Sequence, residues 1–191
     1  MRRSLPALLL ASALVAQAPA GLRLGEPCPP FSLPGTDGTL HGPASSLPML
    51  VVFLSTECPY VLATQARINA YAKQYAGRVA VLGINANDVD SHAGESLAAM
   101  RAQAQGQGFV FPYLKDASQA VTRAFGALCT PEFFLFDGAR KLAYRGRMDD
   151  SWREPAKVTV RDLEAATEAL LAGKAPSAVQ PASRGCSIKW K

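Results

Sequence analysis

Runs of apolar residues predict buried strands at regular intervals along the chain. Met49 to Leu54 is a continuous apolar run rich in β-forming residues, and Val79 to Asn85 is a second one. Such runs are typical of strands that are buried on both faces of a sheet. The runs 133–136 and 142–147 flank an Asp-Gly pair, which predicts a hairpin, and a smaller hairpin is predicted around 31–40.

Apolar residues at helical spacing predict helices between these strands. A helix is predicted from Pro59 to Gly77, and two more are predicted over 96–105 and 117–125 because glycines follow both segments. Thr159 followed by Asp162 resembles a capping box at the start of a last helix, which Gly173 ends. The apolar stripe of that helix is formed by Val160, Leu163, Ala166 and Leu170.

Alternating strands and helices indicate the α/β class. We expect a central mixed β-sheet flanked by helices, because the closing hairpin adds antiparallel strands to a parallel part. The domain is predicted to span residues 21–173, with an N-terminal β-hairpin extension. Residues 174–191 form an extended C-terminal tail, whose last residues include Ile188 and Trp190 and are therefore expected to dock on the body.

The first twenty residues are predicted to be a secretory signal peptide. Arg2 and Arg3 precede an apolar run of about twelve residues, and small residues at 16–18 and 18–20 offer cleavage sites. The run is too short to span a bilayer. We therefore expect export across the inner membrane to an oxidising compartment, the periplasm, and no membrane partner for the mature form.

Composition and charge exclude several classes of protein. The chain has 191 residues, of which 49% are apolar and 18% are charged, with only 4 Cys. It is too apolar to be disordered and too poor in cysteine to be a disulfide-stapled mini-protein. The formal net charge of +5 resides in the signal peptide and the tail, which leaves the body near −1. Nucleic acid is therefore not an expected partner.

Cys58 is the principal candidate for chemistry. It follows the strand 49–54 and precedes Pro59, so it should lie at the N-cap or in the first turn of a helix. Unpaired amides and the helix dipole at that end stabilise a thiolate, which is the attacking form of cysteine. The alternative interpretation of Cys58 is an inert cysteine packed like a small apolar residue.

A second feature is Cys129-Thr130-Pro131 directly before the strand 133–136. A cis Thr130–Pro131 bond would bring the Thr130 backbone, and with it Cys129, to the start of the Cys58 helix. Cys186 in the tail is another possible partner of Cys58, because residues 173–186 could span about 43 Å when extended. Cys28, which lies between two prolines, is interpreted as incidental.

The motifs around these residues resemble the thioredoxin fold. The span from about Gly25 to Lys191 resembles the peroxiredoxin-like (redoxin) family of that superfamily, whose members are similar to the alkyl hydroperoxide reductase and thiol-specific antioxidant proteins. This resemblance implies an oxidoreductase with antioxidant activity. The matching stretches are Glu57 to Val61, Gly83 to Asp88, Cys129 to Asp137, Tyr144 to Ser151, and Gly185 to Trp190.

The chain departs from the family pattern at three positions. A thioredoxin-type dithiol needs a second cysteine at Val61, and relatives often carry one at the position of Ser55. A peroxidase of this superfamily has a proline seven residues before the reactive cysteine, where this chain has Val51. Peroxide reduction is therefore not the reaction we expect.

The sequence thus predicts a thiol-disulfide oxidoreductase or antioxidant-type enzyme in which Cys58 is the nucleophile. Cys129 or Cys186 would resolve the mixed disulfide, and Thr130 and Pro131 would form a cis-proline loop beside it. The partner would be a thiol or disulfide of a protein or small molecule, and no cofactor is expected.

Two alternatives remain open at this stage. Thiolates of Cys58, Cys129 and Cys186 could hold a soft metal ion such as copper or zinc. A redoxin domain without catalytic activity could instead act as a binding module through its docked tail.

Overall fold

The computed structural model describes residues 21–43 and 46–191. The predicted signal peptide, residues 1–20, lies outside the described residues. Across those two described ranges, no helix is both long enough and apolar enough to cross a membrane.

The described chain alternates strands and helices in the predicted order. Short 3-10 helices lie at Ala93–Glu95 and Pro155–Lys157. The strands are β1 (Leu33–Pro34), β2 (Leu40–His41), β3 (Met49–Phe53), β4 (Ala80–Asn85), β5 (Tyr113–Lys115), β6 (Cys129–Thr130), β7 (Glu132–Phe136), β8 (Leu142–Gly146) and β9 (Cys186–Ser187). The α-helices are α1 (Pro59–Gln74), α2 (Leu97–Gln107), α3 (Ala120–Phe125) and α4 (Asp162–Leu171).

Five strands form the central sheet in the order β5-β4-β3-β7-β8. The pairs β3–β4 and β4–β5 are parallel, whereas β3–β7 and β7–β8 are antiparallel. All side chains of β3 are buried, as its unbroken apolar run predicts. The predicted α/β fold with a mixed sheet is therefore confirmed. The pattern does not predict β5, because three residues are too few to show a period.

Two apolar clusters cover the two faces of this sheet. Alternate residues of β3 belong to different clusters, because successive side chains of a strand point to opposite faces. Leu50 and Val52 pack with α1, α2 and α4, and Cys58 belongs to the same cluster. Val51 and Phe53 pack with α3 and the N-terminal segment. Cys58 therefore extends the core on the α1 side of the sheet.

The predicted start of the last helix is wrong. α4 begins at Asp162 with Arg161 at its N-cap, and no side chain caps it. Thr159 instead bonds to Asp150 through both its amide and its hydroxyl, so its side chain is not available as a cap. Val160 precedes the helix and is 47% exposed, so it is not part of the buried stripe.

The end of the C-terminal tail docks on the body, as its apolar residues predict. β9 pairs with β6 in a separate two-stranded antiparallel sheet. Ile188 is buried and its amide donates to the Leu128 carbonyl oxygen. The guanidinium of Arg123 lies 4.4 Å from the centre of the Trp190 ring, within the range of a cation–π contact. The last six residues therefore belong to the folded body.

Phe125 is the centre of the aromatic packing on the α3 side of the sheet. Its ring lies 5.4–5.9 Å from four other rings in edge-to-face arrangements, those of Phe31, Phe53, Phe134 and Phe136. Such pairs add to the gain from burial. Phe125 therefore ties α3 to the two central strands.

Replacing Phe125 with Ala should lower the free energy of unfolding by about 3–5 kcal/mol, because it leaves a cavity among these rings. Urea titration followed by far-UV circular dichroism measures the change. Leu40→Ala is the control, because Leu40 is 71% exposed and its loss should change stability by about 0.5 kcal/mol or less. Equal losses in both variants would contradict this description of the core.

Candidate functional site

Cys58 lies at the start of α1, in the position that the sequence predicts. It is the N-cap residue, with extended backbone angles, and Pro59 follows in the first turn. The Ser55 hydroxyl accepts hydrogen bonds from the amides of Glu57 and Cys58, at 3.1 and 3.0 Å. Ser55 therefore fixes the turn that leads from β3 to Cys58.

The Cys58 side chain is buried and faces the segment before Pro131. Its sulfur donates a hydrogen bond to the Thr130 carbonyl oxygen at 3.0 Å, and the residue is only 3% exposed. The Thr130–Pro131 peptide bond is cis. The burial of Cys58 agrees with the alternative interpretation of an inert cysteine. The residues around its sulfur, which include a second cysteine, do not agree with that interpretation.

Cys186 of the C-terminal tail lies next to the Cys58 segment. In the β6–β9 ladder, Cys186 lies directly opposite Thr130, and it packs against the cluster that contains Cys58. The tail passes so close that any side chain at Gly185 would overlap the Thr130 carbonyl group. Burial, followed by a hydrogen bond and charge interaction with Cys58, raises the pKa of the Cys186 thiol to about 11. Two thiols are therefore adjacent at the start of α1.

Cys129 belongs to the same region but points away from Cys186. Cys129 pairs with Ser187, and successive residues of a strand face opposite sides. It lines an open surface cavity of about 350 Å³ with Leu128 and Arg145. Burial, reinforced by nearby negative charge, raises the pKa of the Cys129 thiol to about 12.

A metal site on the three thiolates is not what the structure shows. Within residues 21–43 and 46–191, no group of three or more histidine, cysteine or acidic side chains is arranged to hold a metal ion. In the β6–β9 ladder Cys129 and Cys186 are not opposite each other, so their side chains face different sides. The alternative of a copper or zinc site on the three thiolates therefore stays a prediction without support among the described residues.

Cys28 lies apart from the other three cysteines. It packs in the cluster on the α3 side of the sheet, and its sulfur donates to the Pro29 carbonyl oxygen at 3.4 Å. Burial raises the pKa of the Cys28 thiol to about 11. The sheet separates Cys28 from Cys58, which makes it a useful internal control.

A buried carboxylate supports the turn before Cys58. Glu95 accepts hydrogen bonds from the Ser55 hydroxyl and from the Thr56 amide and hydroxyl. Two buried amides, Asn85 Nδ2 and Asn87 Nδ2, donate to it at 2.6 and 2.9 Å. Burial opposes the charge, but these hydrogen bonds, that of Ser55 first among them, outweigh it and hold the pKa of the Glu95 carboxyl below its usual range.

Lys115 is the buried cation of the same network. Its ammonium group donates to Asn85 Oδ1 and to the carbonyl oxygens of Asn87 and Glu95, at 2.7–3.2 Å. Burial lowers the pKa of Lys115, and the charge of Glu95 opposes this shift. The two charges are therefore buried as a hydrogen-bonded set, which is the condition under which buried charges are tolerated.

The sequence patterns do not predict this network. The polar residues at the end of β4, Asn85 and Asn87, lie inside an otherwise apolar segment, and that anomaly is a usable signal. Their partners are Glu95 and Lys115, which lie 8 to 30 residues away from them in the sequence, and no local pattern connects them.

Next to Pro131 the surface opens into a cavity of about 100 Å³. Its walls include Phe133, Met148 and Trp152, together with Arg147 and Arg184. The rings of Trp152 and Tyr60 are 4.0 Å apart, so an aromatic surface links this cavity to the first turn of α1. The site can thus accommodate a small group beside the Cys58 helix.

Two solved structures of high similarity span nearly the whole chain. A hypothetical protein from Sinorhizobium meliloti 1021 is 41% identical with a TM-score of 0.84, and the match covers 90% of this chain and 97% of that one. An uncharacterized conserved protein from Geobacillus kaustophilus is 36% identical with a TM-score of 0.83, covering 89% and 93%. No curated protein sequence matches this chain.

More distant structures share the fold. A thiol-disulfide oxidoreductase from Bacteroides fragilis NCTC 9343 is 19% identical with a TM-score of 0.54, and the match covers 63% of this chain and 89% of that one.

The family model described as Redoxin matches residues 23–166, which include β1 to β8 and the Cys58 and Thr130 segments. The chain therefore belongs to the redoxin family, and it shares its fold with the thiol-disulfide oxidoreductase from Bacteroides fragilis.

Proposed function

We propose that the protein is an extracytoplasmic thiol-disulfide oxidoreductase in which Cys58 is the nucleophile and Cys186 is the resolving thiol. The observation that carries this proposal is the adjacency of the two thiols: the Cys58 sulfur donates to the Thr130 carbonyl oxygen, and Cys186 lies directly opposite Thr130 and packs against the cluster that contains Cys58. Family membership supports thiol or disulfide groups of a protein or a small molecule as substrates.

Position favours Cys58 as the attacking residue. It lies at the N-terminus of a helix of 16 residues, where amide groups and the helix dipole stabilise negative charge. The thiols of Cys186 and Cys129 have raised pKa values, about 11 and about 12, so both are protonated at neutral pH.

The first step forms a mixed disulfide. The Cys58 thiolate attacks one sulfur of the substrate disulfide, the S–S bond of the substrate breaks, and the leaving sulfur departs with the electron pair and takes up a proton. Because Cys58 is 3% exposed, this step requires the tail strand β9 to move away from Thr130.

The second step closes an internal disulfide. Cys186 loses its proton and attacks the Cys58 sulfur, the bond to the substrate breaks, and the second substrate thiolate leaves. The substrate has then gained two electrons, and the protein holds a Cys58–Cys186 disulfide. An external thiol reductant returns it to the dithiol, and the same steps in reverse would oxidise a dithiol substrate.

Geometry favours Cys186 over Cys129 as the resolving residue. Cys186 packs with Cys58 in one cluster, whereas Cys129 lies on the opposite side of its strand, above the open cavity. The antioxidant-type chemistry that the resemblance implies would use the same Cys58 and stays a prediction.

Export supports this chemistry. The proposed signal peptide, residues 1–20, would deliver the chain to a compartment in which disulfides form and persist. The four cysteines are free thiols in the described structure, which therefore represents the reduced state of the proposed Cys58–Cys186 pair.

Single cysteine variants test the assignment of the two roles. Incubation with a small disulfide, followed by acid quenching and intact-mass analysis, should give an internal Cys58–Cys186 disulfide in the unmodified protein. Cys186→Ser should instead accumulate a mixed disulfide on Cys58, because the second step is lost, and Cys58→Ser should form neither product. Cys28→Ser is the matched control and should behave like the unmodified protein. A mixed disulfide that accumulates in Cys129→Ser, but not in Cys186→Ser, would show that Cys129 resolves it.

The second step should depend on pH because Cys186 attacks as a thiolate. In the docked tail the pKa of Cys186 is raised to about 11, and the thiolate fraction of a thiol rises about tenfold per pH unit below its pKa. Stopped-flow mixing of excess protein with 4,4′-dithiodipyridine gives two phases, and the slower one should accelerate by roughly tenfold per unit between about pH 7 and about pH 9. The Cys28→Ser/Cys129→Ser double variant restricts the reaction to the two proposed thiols. A slower phase that does not change with pH would contradict Cys186 as the attacking group.

The mature N-terminus tests the proposed export. Expressed at full length in a bacterium with a periplasm, the protein should be recovered from the periplasmic fraction starting at Gly21 or Pro19, after cleavage at one of the two small-residue sites. Intact mass identifies the terminus. Changing Leu8, Leu9 and Leu10 to Asp breaks the apolar run and should leave uncleaved protein in the cytoplasm. Recovery of the unaltered chain in uncleaved cytoplasmic form would contradict the proposal.

A further inference from the structure

We propose that Asn87 is a positioning residue that joins the turn before Cys58 to the strand that carries Cys186, and so sets how readily their disulfide closes. This inference rests on the proposed function. Asn87 lies shortly after the end of β4 in the sequence, and it is 4% exposed. Its side-chain amide makes one hydrogen bond toward each cysteine segment.

The nitrogen of the Asn87 side chain is directed to the Cys58 segment. Nδ2 donates to Glu95 Oε1 at 2.9 Å, and the same oxygen accepts the hydrogen bond of the Ser55 hydroxyl. Ser55 in turn accepts from the Cys58 amide. Three successive hydrogen bonds therefore connect Asn87 to the backbone of Cys58.

The oxygen of the Asn87 side chain is directed to the tail. Oδ1 accepts from the Lys189 amide at 2.9 Å, three residues after Cys186. The next residue, Asp88, donates its own amide to the Lys189 carbonyl oxygen at 2.9 Å, and Gln119 Nε2 donates to the same oxygen at 2.8 Å. The tail is therefore held at Lys189 from both sides of its peptide backbone.

The backbone of Asn87 is itself fixed. Its amide donates to Asn85 Oδ1 at 3.0 Å, and its carbonyl oxygen accepts from the Lys115 ammonium group at 2.7 Å. An amide side chain offers both a donor and an acceptor, whereas an ionised carboxylate offers acceptors alone. Asn87, with its backbone held in place, thus connects the turn before Cys58 to the tail.

This connection changes the redox equilibrium because the two redox states respond differently to its loss. A reduced protein without the Asn87 bonds can release its tail and recover hydrogen bonds with water. An oxidised protein cannot release the tail, because the Cys58–Cys186 disulfide holds it in place. Loss of Asn87 should therefore disfavour the disulfide by about tenfold, the size expected for one or two buried hydrogen bonds.

The test compares two buried asparagines. Asn69 is 5% exposed, and its side chain also makes hydrogen bonds in both directions, to Gly108 O and from the Val110 amide, far from the cysteines. The equilibrium constant of the Cys58–Cys186 disulfide is measured against reduced and oxidised glutathione by alkylation and intact mass. Asn87→Ala should lower it by about tenfold, and Asn69→Ala by less than about twofold.

Asn87→Asp provides a second reading in case Asn87→Ala does not fold. It is isosteric and keeps the acceptor for Lys189, but it removes the donor to Glu95, so the constant should fall by at least about threefold. A constant within twofold of the unmodified protein in the folded Asn87 variants, or an equal fall in Asn69→Ala, would overturn the positioning role. If the unmodified protein forms no Cys58–Cys186 disulfide at all, the proposed function fails first, and this inference fails with it.

Discussion

The backbone of Thr130 is the point at which both proposed redox thiols are held. Its carbonyl oxygen accepts the hydrogen bond from Cys58, and its strand position pairs with Cys186. The first contact anchors the start of α1, and the second anchors the end of the chain. Cys58 and Cys186 are 128 positions apart in the sequence, and their contacts with the Thr130 backbone bring them to the same place in the fold.

A buried polar network stabilises the turn before Cys58. Glu95 and Lys115 place opposite charges under the turn before Cys58, and every polar atom that they present is bonded to a neighbour. A half-satisfied network of this kind would destabilise the core, whereas a complete one specifies a single arrangement. Asn87 extends that specification to the tail, because its side-chain oxygen accepts the hydrogen bond of the Lys189 amide.

The sequence predicts the fold well because its signals are local. The buried run of β3, the Pro59 helix start and the Thr130–Pro131 pair are each readable within a few residues, and the structure contains all three. The sequence does not indicate whether Cys129 or Cys186 is the resolving thiol, because the pairing of β6 with β9 decides which of their side chains lies on the side of Cys58. The capping box failed for a similar reason: Thr159 bonds to Asp150, a partner that the helix pattern does not include.

Burial of Cys58 and its proposed reactivity are consistent when the tail is treated as part of the reaction. In the docked state Cys58 is 3% exposed, and Cys186 of strand β9 packs against the cluster that contains it. A substrate that forms a mixed disulfide must occupy space next to Thr130 and so displaces the strand. Return of the strand then brings Cys186 back to the Cys58 sulfur, and the pairing with Thr130 aligns it for attack. In the proposed mechanism, one segment therefore protects the nucleophile before the reaction and delivers the resolving thiol afterwards, so the hydrogen bonds that hold the tail affect both access and resolution.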